Sequence, residues 1–368
     1  MDSSQQHIPE SAIAVETEFK PVKSPLISVI VLNYNGAHWL RKCLDSLGQQ
    51  TIFSQLEILV ADNASPDKSD LLAAELMSGW TNGRVIQHGA NLGFCEGNNR
   101  AAKQAKGEFL FFLNNDTWLE PDCLEKLVSG VRSMGAQAGT PMMLNYEDDS
   151  IQSAGGAGFD LFGLMSLAPT LMCSSREIFV VGGCSYLIQR DLFETLGGFD
   201  AVFFMYADEY DLSWRVWISG ARAAIISGSR LHHRGAAGVN PAGGGKVLEI
   251  RSSDSKRFYT NRNCLLVLLK NCQHVLWLLV PLQVGLLILE SVAGLLLVRR
   301  WSFVKRAYLE AIADCWRLRP HVRSERERIA RFRKRTDWGM LRFFRLRLNR
   351  WDEMRNLRKH GLPKMTEA

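Results

Sequence analysis

Three short, largely apolar runs at residues 26–32, 56–60 and 109–113, and a shorter mixed one at 84–87, divide the first third of the chain. Each has the length of a strand and is too short for a helix. The run at 109–113 is all Phe and Leu, bounded by Gly107 and Asn114, and predicts a buried central strand. The run at 26–32 is rich in β-branched residues and predicts an inner strand of a parallel sheet. Between the runs, Trp39, Leu40, Cys43, Leu44 and Leu47 recur at the spacing of one buried helix face. A further helix is expected to end near Ala105. Each run stops in polar residues: Asn33, Tyr34, Asn35 and Gly36; then Asp62, Asn63, Ala64 and Ser65; then Asn91 onward; then Asn114, Asn115 and Asp116. Strand and helix alternate four times with the polar groups at one edge. The fold class this predicts is α/β, a Rossmann-like, mostly parallel sheet flanked by helices, with a ligand along one rim.

The middle of the chain is less regular. Residues 139–180 read as loop-rich, with Gly155, Gly156 and Gly158 in succession, and no chemistry is assigned there. Strand pieces are expected at 178–188, and a last strand at 223–226. Between them lie Asp208, Glu209 and Asp211, three carboxylates within four residues among aromatic neighbours. Mutual repulsion and apolar surroundings raise such pKa values, as a general base requires. The first turn of a helix favours acidic residues as well, and Asp211 with Arg215 has the i, i+4 spacing of a pair. His232 and His233 follow the last strand.

Residues 275–298 form an apolar run long enough to cross a bilayer, for which about 20 residues suffice. It contains Pro281, Gln283 and Glu290, and basic residues stand on both sides. A single crossing would carry the cationic C-terminal part out of the cytoplasm, so a re-entrant or interfacial helical hairpin kinked near Pro281 is expected, with a true span as the alternative. The charge is divided accordingly. Residues 299–368 hold 21 Lys and Arg against 8 Asp and Glu, which leaves 23 against 30 for the rest. Aromatic residues interleave with that basic run, and beside an apolar segment this points to an anionic membrane surface and not to nucleic acid. Eight cysteines without paired spacing favour reduced thiols. The resulting expectation is a disordered leader at 1–24, a folded domain at 25–258, an apolar membrane-associating hairpin or span at 259–300 and a basic amphipathic helical tail at 301–368. With no cationic and apolar signal at the start, the folded part is expected in the cytoplasm, at the inner face of the cell membrane.

Neither GxGxxG after the first strand nor GxxxxGK[ST] is present, which argues against a dinucleotide enzyme and a P-loop nucleotidase. The four polar clusters together resemble the nucleotide-sugar half of family 2 glycosyltransferases of GT-A fold, in a bacterial, membrane-associated, rhamnosyltransferase-like form. The resemblance implies that Asn33, Asn35, Asp62, Asn63, Asn91, Asn114 and Asn115 line the nucleotide-sugar site, with Asp62 on the base. It implies that Asp116, the last residue of a DxD-like motif, and His233 hold Mg2+ or Mn2+. Asn114 stands where many relatives have Asp. The Gly197 to Arg215 stretch resembles the family's Glu-Asp motif with the pair inverted, which makes Glu209 the base and Asp208 its substitute. The function implied is inverting transfer of a sugar from a nucleoside diphosphate sugar to a lipid-linked or polysaccharide acceptor. Two other readings stay open here: a catalytically silent membrane-attached scaffold of the same fold, and a nucleotidyltransferase.

Overall fold

The computed structural model describes residues 24–168, 174–235, 251–351 and 364–365; all but the last residue of the expected leader lies outside them. Strands β1 (Ile27–Asn33), β2 (Leu56–Asp62), β3 (Gly83–Gln87) and β4 (Phe109–Asn114) alternate with helices α1 (Ala37–Gly48), α2 (Ser69–Leu76) and α3 (Gly93–Ala102). The strands lie parallel in the order β4-β1-β2-β3. β2 is buried along its whole length, and Phe109, Leu110, Phe111 and Phe112 of β4 have no solvent contact, as an apolar run without alternation requires. Helix α1 buries Trp39, Leu40, Cys43, Leu44 and Leu47, the predicted face. Register brings the strand ends level: Asn33 lies opposite Asp62, Asp62 opposite Gln87, and Asn114 opposite Leu32.

The second half extends the same sheet. It contributes β5 (Thr117–Leu119), α4 (Cys123–Ser133), β6 (Ala138–Asn145), β7 (Ile151–Ser153), β8 (Gly156–Phe159), β9 (Met165–Leu167), β10 (Arg176–Glu177), β11 (Ser185–Gln189), α5 (Arg190–Leu196), α6 (Asp208–Ile218) and β12 (Ala223–His233). The full order is β10-β12-β6-β11-β4-β1-β2-β3, with β11 antiparallel to both its neighbours. The stretch read as loop-rich therefore begins with a buried central strand. Its sequence hid this, because β6 has no β-branched run and carries Pro141. Pro141 is tolerated beside an irregularity: pairing with β12 runs to Pro141 and Ile226, then slips by three residues on β12 before resuming at Met142 and Arg230. The same slip carries β12 on to His233, seven residues past the expected end of that strand.

The C-terminal part is helical and folds back on the sheet. It comprises α7 (Asp254–Asn271), α8 (Leu279–Val298), α9 (Trp301–Val304), α10 (Ala311–Arg317) and α11 (Arg319–Phe332). The expected boundary at residue 258 falls inside α7, an unbroken helix capped by the Ser253 hydroxyl on the Lys256 amide. The turn between α7 and α8 occupies residues 272–275, ahead of Pro281. The Asp337 carboxylate closes it by accepting the amides of Gln273 and Leu276. Pro281 is the third residue of α8, in the first turn, where a missing N–H is tolerated, and the reversal of the chain expected near it lies at 272–275. Helix α8 turns Gln283 and Ser291 inward, pairs Glu290 with Arg350 at 2.6 Å, and leaves Leu278, Leu282, Leu289, Val292 and Leu296 exposed along one stripe. Arg326 of α11 donates to the carbonyls of Leu269 and Cys272, and the Phe343 ring stacks 4.6 Å from that of Phe179.

One buried cation joins the two halves. Lys270 Nζ of α7 meets Asp200 at 2.5 Å, Asp211 at 3.1 Å and Glu325 at 3.5 Å. Asp211 is also held by Arg215 at 2.7 Å, and Asp200 by His321 at 2.9 Å. Removing the ammonium takes away the one cation that Asp200 and Asp211 share, and leaves Asp211 to Arg215 and Asp200 to His321. The substitution Lys270→Met is therefore expected to destabilise the chain by about 3–5 kcal/mol, measured by chemical unfolding.

Candidate active site

The rim is built on Asn33. Its amide donates to Asp62 Oδ1 at 2.8 Å and to the Ser69 hydroxyl at 2.8 Å, and its carbonyl oxygen accepts from Asn115 Nδ2 at 2.9 Å. Asp62, at 1% exposure, accepts the Ser65 amide on one oxygen and the Ser65 hydroxyl on the other. The carboxylate expected on the base is thus also the group that folds the loop after β2. Asn35 gives its backbone N–H to the Ser65 hydroxyl at 3.2 Å and has a positive φ of 53°. Asn63 donates to the Gly93 carbonyl at 3.0 Å, and Asn91 accepts the Gly93 amide at 3.0 Å, which ties the β2 loop to the start of α3.

From α3 the contacts pass to the acidic segment. Gly93 has φ +74°, and a Cβ there would stand 2.4 Å from the Phe204 ring. Phe204 has φ 63° and ψ −61°, and the Met205 amide donates to the Phe203 carbonyl at 2.7 Å, which makes a strained γ-turn. The turn aims the Phe204 carbonyl at α3, where it accepts the amides of Phe94 and Cys95 at 2.7 and 3.2 Å. Tyr206 and Ala207 follow, also with positive φ, and α6 begins at Asp208. Asn263 of α7 holds this backbone by donating to the carbonyls of Phe203, Met205 and Tyr206 at 3.0, 2.8 and 2.8 Å. Glu209 lies over Gly183, where a Cβ would stand 3.3 Å from its carboxyl carbon. The next residue, Cys184, accepts the Asn114 amide at 3.0 Å. Glu209 is thereby brought to the edge of the sheet that carries Asn114, Asn115 and Asp116.

Asp116 and His233 meet because β12 pairs with β5, His233 opposite Thr117. His233 Nε2 is 3.5 Å from Asp116 Oδ1, and its Nδ1 is 2.8 Å from Gln152 Oε1. His232 is stacked on Trp118 at 3.6 Å, a packing role. Among the described residues no group of three or more His, Cys, Asp or Glu is arranged around a metal position. An oxygen and an imidazole nitrogen fit one or two positions of a divalent cation, with the others left to water and phosphate oxygens, the manner in which Mg2+ is commonly held.

Residues 28–196 match the family described as glycosyl transferase family 2. The match takes in a little under half of the chain, and over that stretch the chain is similar to this family. Among relatives, the O-antigen biosynthesis protein RfbC of Myxococcus xanthus is 30% identical over 234 residues, 59% of this chain and 18% of its own length. EpsH of Bacillus subtilis is 34% identical over 107 residues, 29% of this chain and 30% of its own. The chain thus spans less than a third of either relative. The solved structure of S. aureus TarS 1-349 in complex with UDP-GlcNAc superposes with a TM-score of 0.54 at 16% identity, covering 83% of this chain and 88% of that one. At that identity the likeness establishes the fold, GT-A, with its mixed, mostly parallel sheet and a helical C-terminal region.

Electrostatics at the start of α6 separate the carboxylates. Burial, and then the charge of Glu209, push Asp208 well above the ordinary carboxylate range, and burial pushes Glu209 up too. Asp211, next in line, is held low by Arg215 and Lys270 against its burial. The same short segment thus supplies one paired anion and two carboxyls that retain protons to higher pH. Arg262, Asn263, Lys270, Asn271 and His321, which fix this segment, were not among the candidates. Their signal was present in α7, where Asn261, Arg262 and Asn263 stand directly ahead of an apolar run and are buried.

Two outcomes are expected. The substitution Asn263→Ala removes the amide that bonds the Phe203, Met205 and Tyr206 carbonyls, of which Phe203 keeps the Met205 amide as donor, and should lower stability by about 1–3 kcal/mol in urea titrations. For Asp208, a folded pKa above the unfolded value of about 4 makes its contribution fully present below that pH and lost as pH rises through the folded value. Asp208→Asn should therefore raise the melting temperature at pH 7.5 relative to wild type, and the gain should vanish near pH 4.

Proposed function

We propose that the protein is an inverting glycosyltransferase that moves a hexosyl or deoxyhexosyl group from a nucleoside diphosphate sugar to a lipid-linked saccharide at the cytoplasmic face of the membrane. One observation carries the reading: Glu209 lies over Gly183, beside the strand end that bears Asn114 and Asp116. This sets a carboxylate of raised pKa opposite a polar rim with its own acidic group. The relatives agree in kind, since RfbC is an O-antigen biosynthesis protein and TarS is solved with UDP-GlcNAc.

In this mechanism Asn33, Asn35, Asp62, Asn63, Asn91 and Asn115 line the nucleotide, and the loop that Asp62 folds sets the base. Asp116 and His233, with Asn114 near them, would hold Mg2+ or Mn2+; GalNAc-T7, of similar fold, is solved with UDP and Mn2+. When bound, such a cation neutralises charge on the leaving diphosphate. Glu209 removes the proton of the acceptor hydroxyl as its oxygen attacks the anomeric carbon from the face opposite the diphosphate. The bond from that carbon to the phosphate oxygen breaks, and nucleoside diphosphate departs with the configuration inverted. Burial favours this step, because a base with a raised pKa holds the proton more firmly.

Membrane attachment rests on α8. Residues 276–296 are long and apolar enough to cross a bilayer, with mean hydropathy 2.0. The inward side, with Gln283, Ser291 and the Glu290–Arg350 pair, packs against protein and favours a helix lying along the lipid surface over one crossing it.

Replacing Glu209 by Gln removes the base and keeps the shape. Transfer should fall by about 10²-fold or more, with donor affinity by calorimetry within twofold of wild type. Full turnover in this variant, or release of pyrophosphate in place of nucleoside diphosphate, contradicts the proposal.

A further inference from the structure

A second concavity, of about 500 Å³, opens between α7 and α11 on residues that take no part in the rim. Arg319, Arg323, Arg326 and Arg333 line it, with Gln273 at the α7–α8 turn and an apolar wall from Val322 and Ile329. Lys270 also borders it, but its ammonium is buried and already neutralised by Asp200 and Asp211. Among the described residues none of the four arginines forms an ion pair. Glu327 is the one carboxylate in the lining, and Asp337, which lies near Arg333, is committed to the amides of the α7–α8 turn.

Two of the guanidinium groups are set in place by backbone. Arg326 donates to the Leu269 and Cys272 carbonyls, and Arg333 donates to Asn271 O while its Nε is buried without a partner. Arg319 and Arg323 are exposed at the mouth. Four positive charges, two of them fixed, facing one carboxylate in a concavity suit an anion with several oxygens, since planar guanidinium groups bond phosphate in pairs. The surroundings say which anion. Arg326 stands 5.5 Å over the ring of Trp277, and Trp277 and Leu278, 39% and 66% exposed, begin the apolar stripe of α8. Cationic groups above an aromatic and aliphatic surface match the boundary between lipid headgroups and acyl chains.

We propose that this concavity binds the phosphate of an anionic membrane lipid whose acyl chains run along the exposed face of α8. The inference rests on the membrane attachment proposed above and adds to it a defined headgroup site.

The test uses the full chain, with Arg319→Ala and Arg323→Ala combined, since both side chains are exposed and their loss should leave the melting temperature unchanged. Flotation is measured with vesicles of phosphatidylcholine alone and with phosphatidylglycerol added. Wild type should prefer the anionic vesicles, and the double variant should lose roughly tenfold of that preference while binding neutral vesicles as before. A preference that survives in the variant overturns the headgroup site. Protection of wild type against heat by inorganic phosphate, lost in the variant with vesicle binding unchanged, overturns the lipid and assigns a soluble phosphate. A wild-type chain that floats with neither vesicle ends the membrane reading together with this one. Donor binding in the same preparation, which involves none of these arginines, keeps that failure apart from a failure of the glycosyltransferase reading.

Discussion

Lys270 carries its ammonium into a place without solvent, where Asp200 from the loop before α6 and Asp211 from within α6 are the charges that hold it. An isolated charge there would be very costly, so the three groups are stable only together. Because Lys270 belongs to α7, the arrangement fixes that helix beneath the acidic segment, and His321 and Glu325 bring α11 into the same cluster. Arg328 continues it, pairing with Glu325 and donating to the Leu196 carbonyl. The C-terminal helices are thereby part of the folded domain. The position of Glu209 depends on them as much as on the sheet.

Strain gathers at the same place. Phe204, Tyr206 and Ala207 all have positive φ, each at a cost of about 1–3 kcal/mol for a residue other than glycine. The cost is offset by hydrogen bonds on both sides: the Phe204 carbonyl caps α3, and Asn263 and Arg262 satisfy the carbonyls around it. The Asn63, Gly93 and Phe204 contacts carry this order across to the β2 loop, where Ala64 also has positive φ. A segment so constrained keeps its carboxyls in a fixed relation to the rim, which chemistry at a single carbon demands.

Much of this was legible in the chain. The unbroken apolar run at 109–113 and the largely apolar one at 56–60 have the length of strands covered on both faces, and the polar residues that end them had to emerge at one edge because parallel strands share a direction. The helix face from Trp39 to Leu47 followed from spacing alone. Where the reading fell short, the cause lay in contacts distant in sequence. β6 has Thr140 as its one β-branched residue and carries Pro141, so little local signal marks a strand that exists because β12 and β11 flank it. The turn before α8 is closed by Asp337, more than sixty residues from Gln273, while Pro281, which follows the turn inside α8, was the more visible cue.

What the sequence determined by itself was the parallel half of the sheet and the identity of the groups on its rim, because these depend on periodicity and on strand ends, which are local. Tertiary structure alone decided that His233 meets Asp116, that Glu209 lies over Gly183 beside Asn114, and that a lysine after a short apolar run in α7 neutralises two aspartates some sixty to seventy residues away. Charge pairing and strand register across such distances arise only once the chain has closed, since no short-range pattern specifies which buried anion a buried cation will meet.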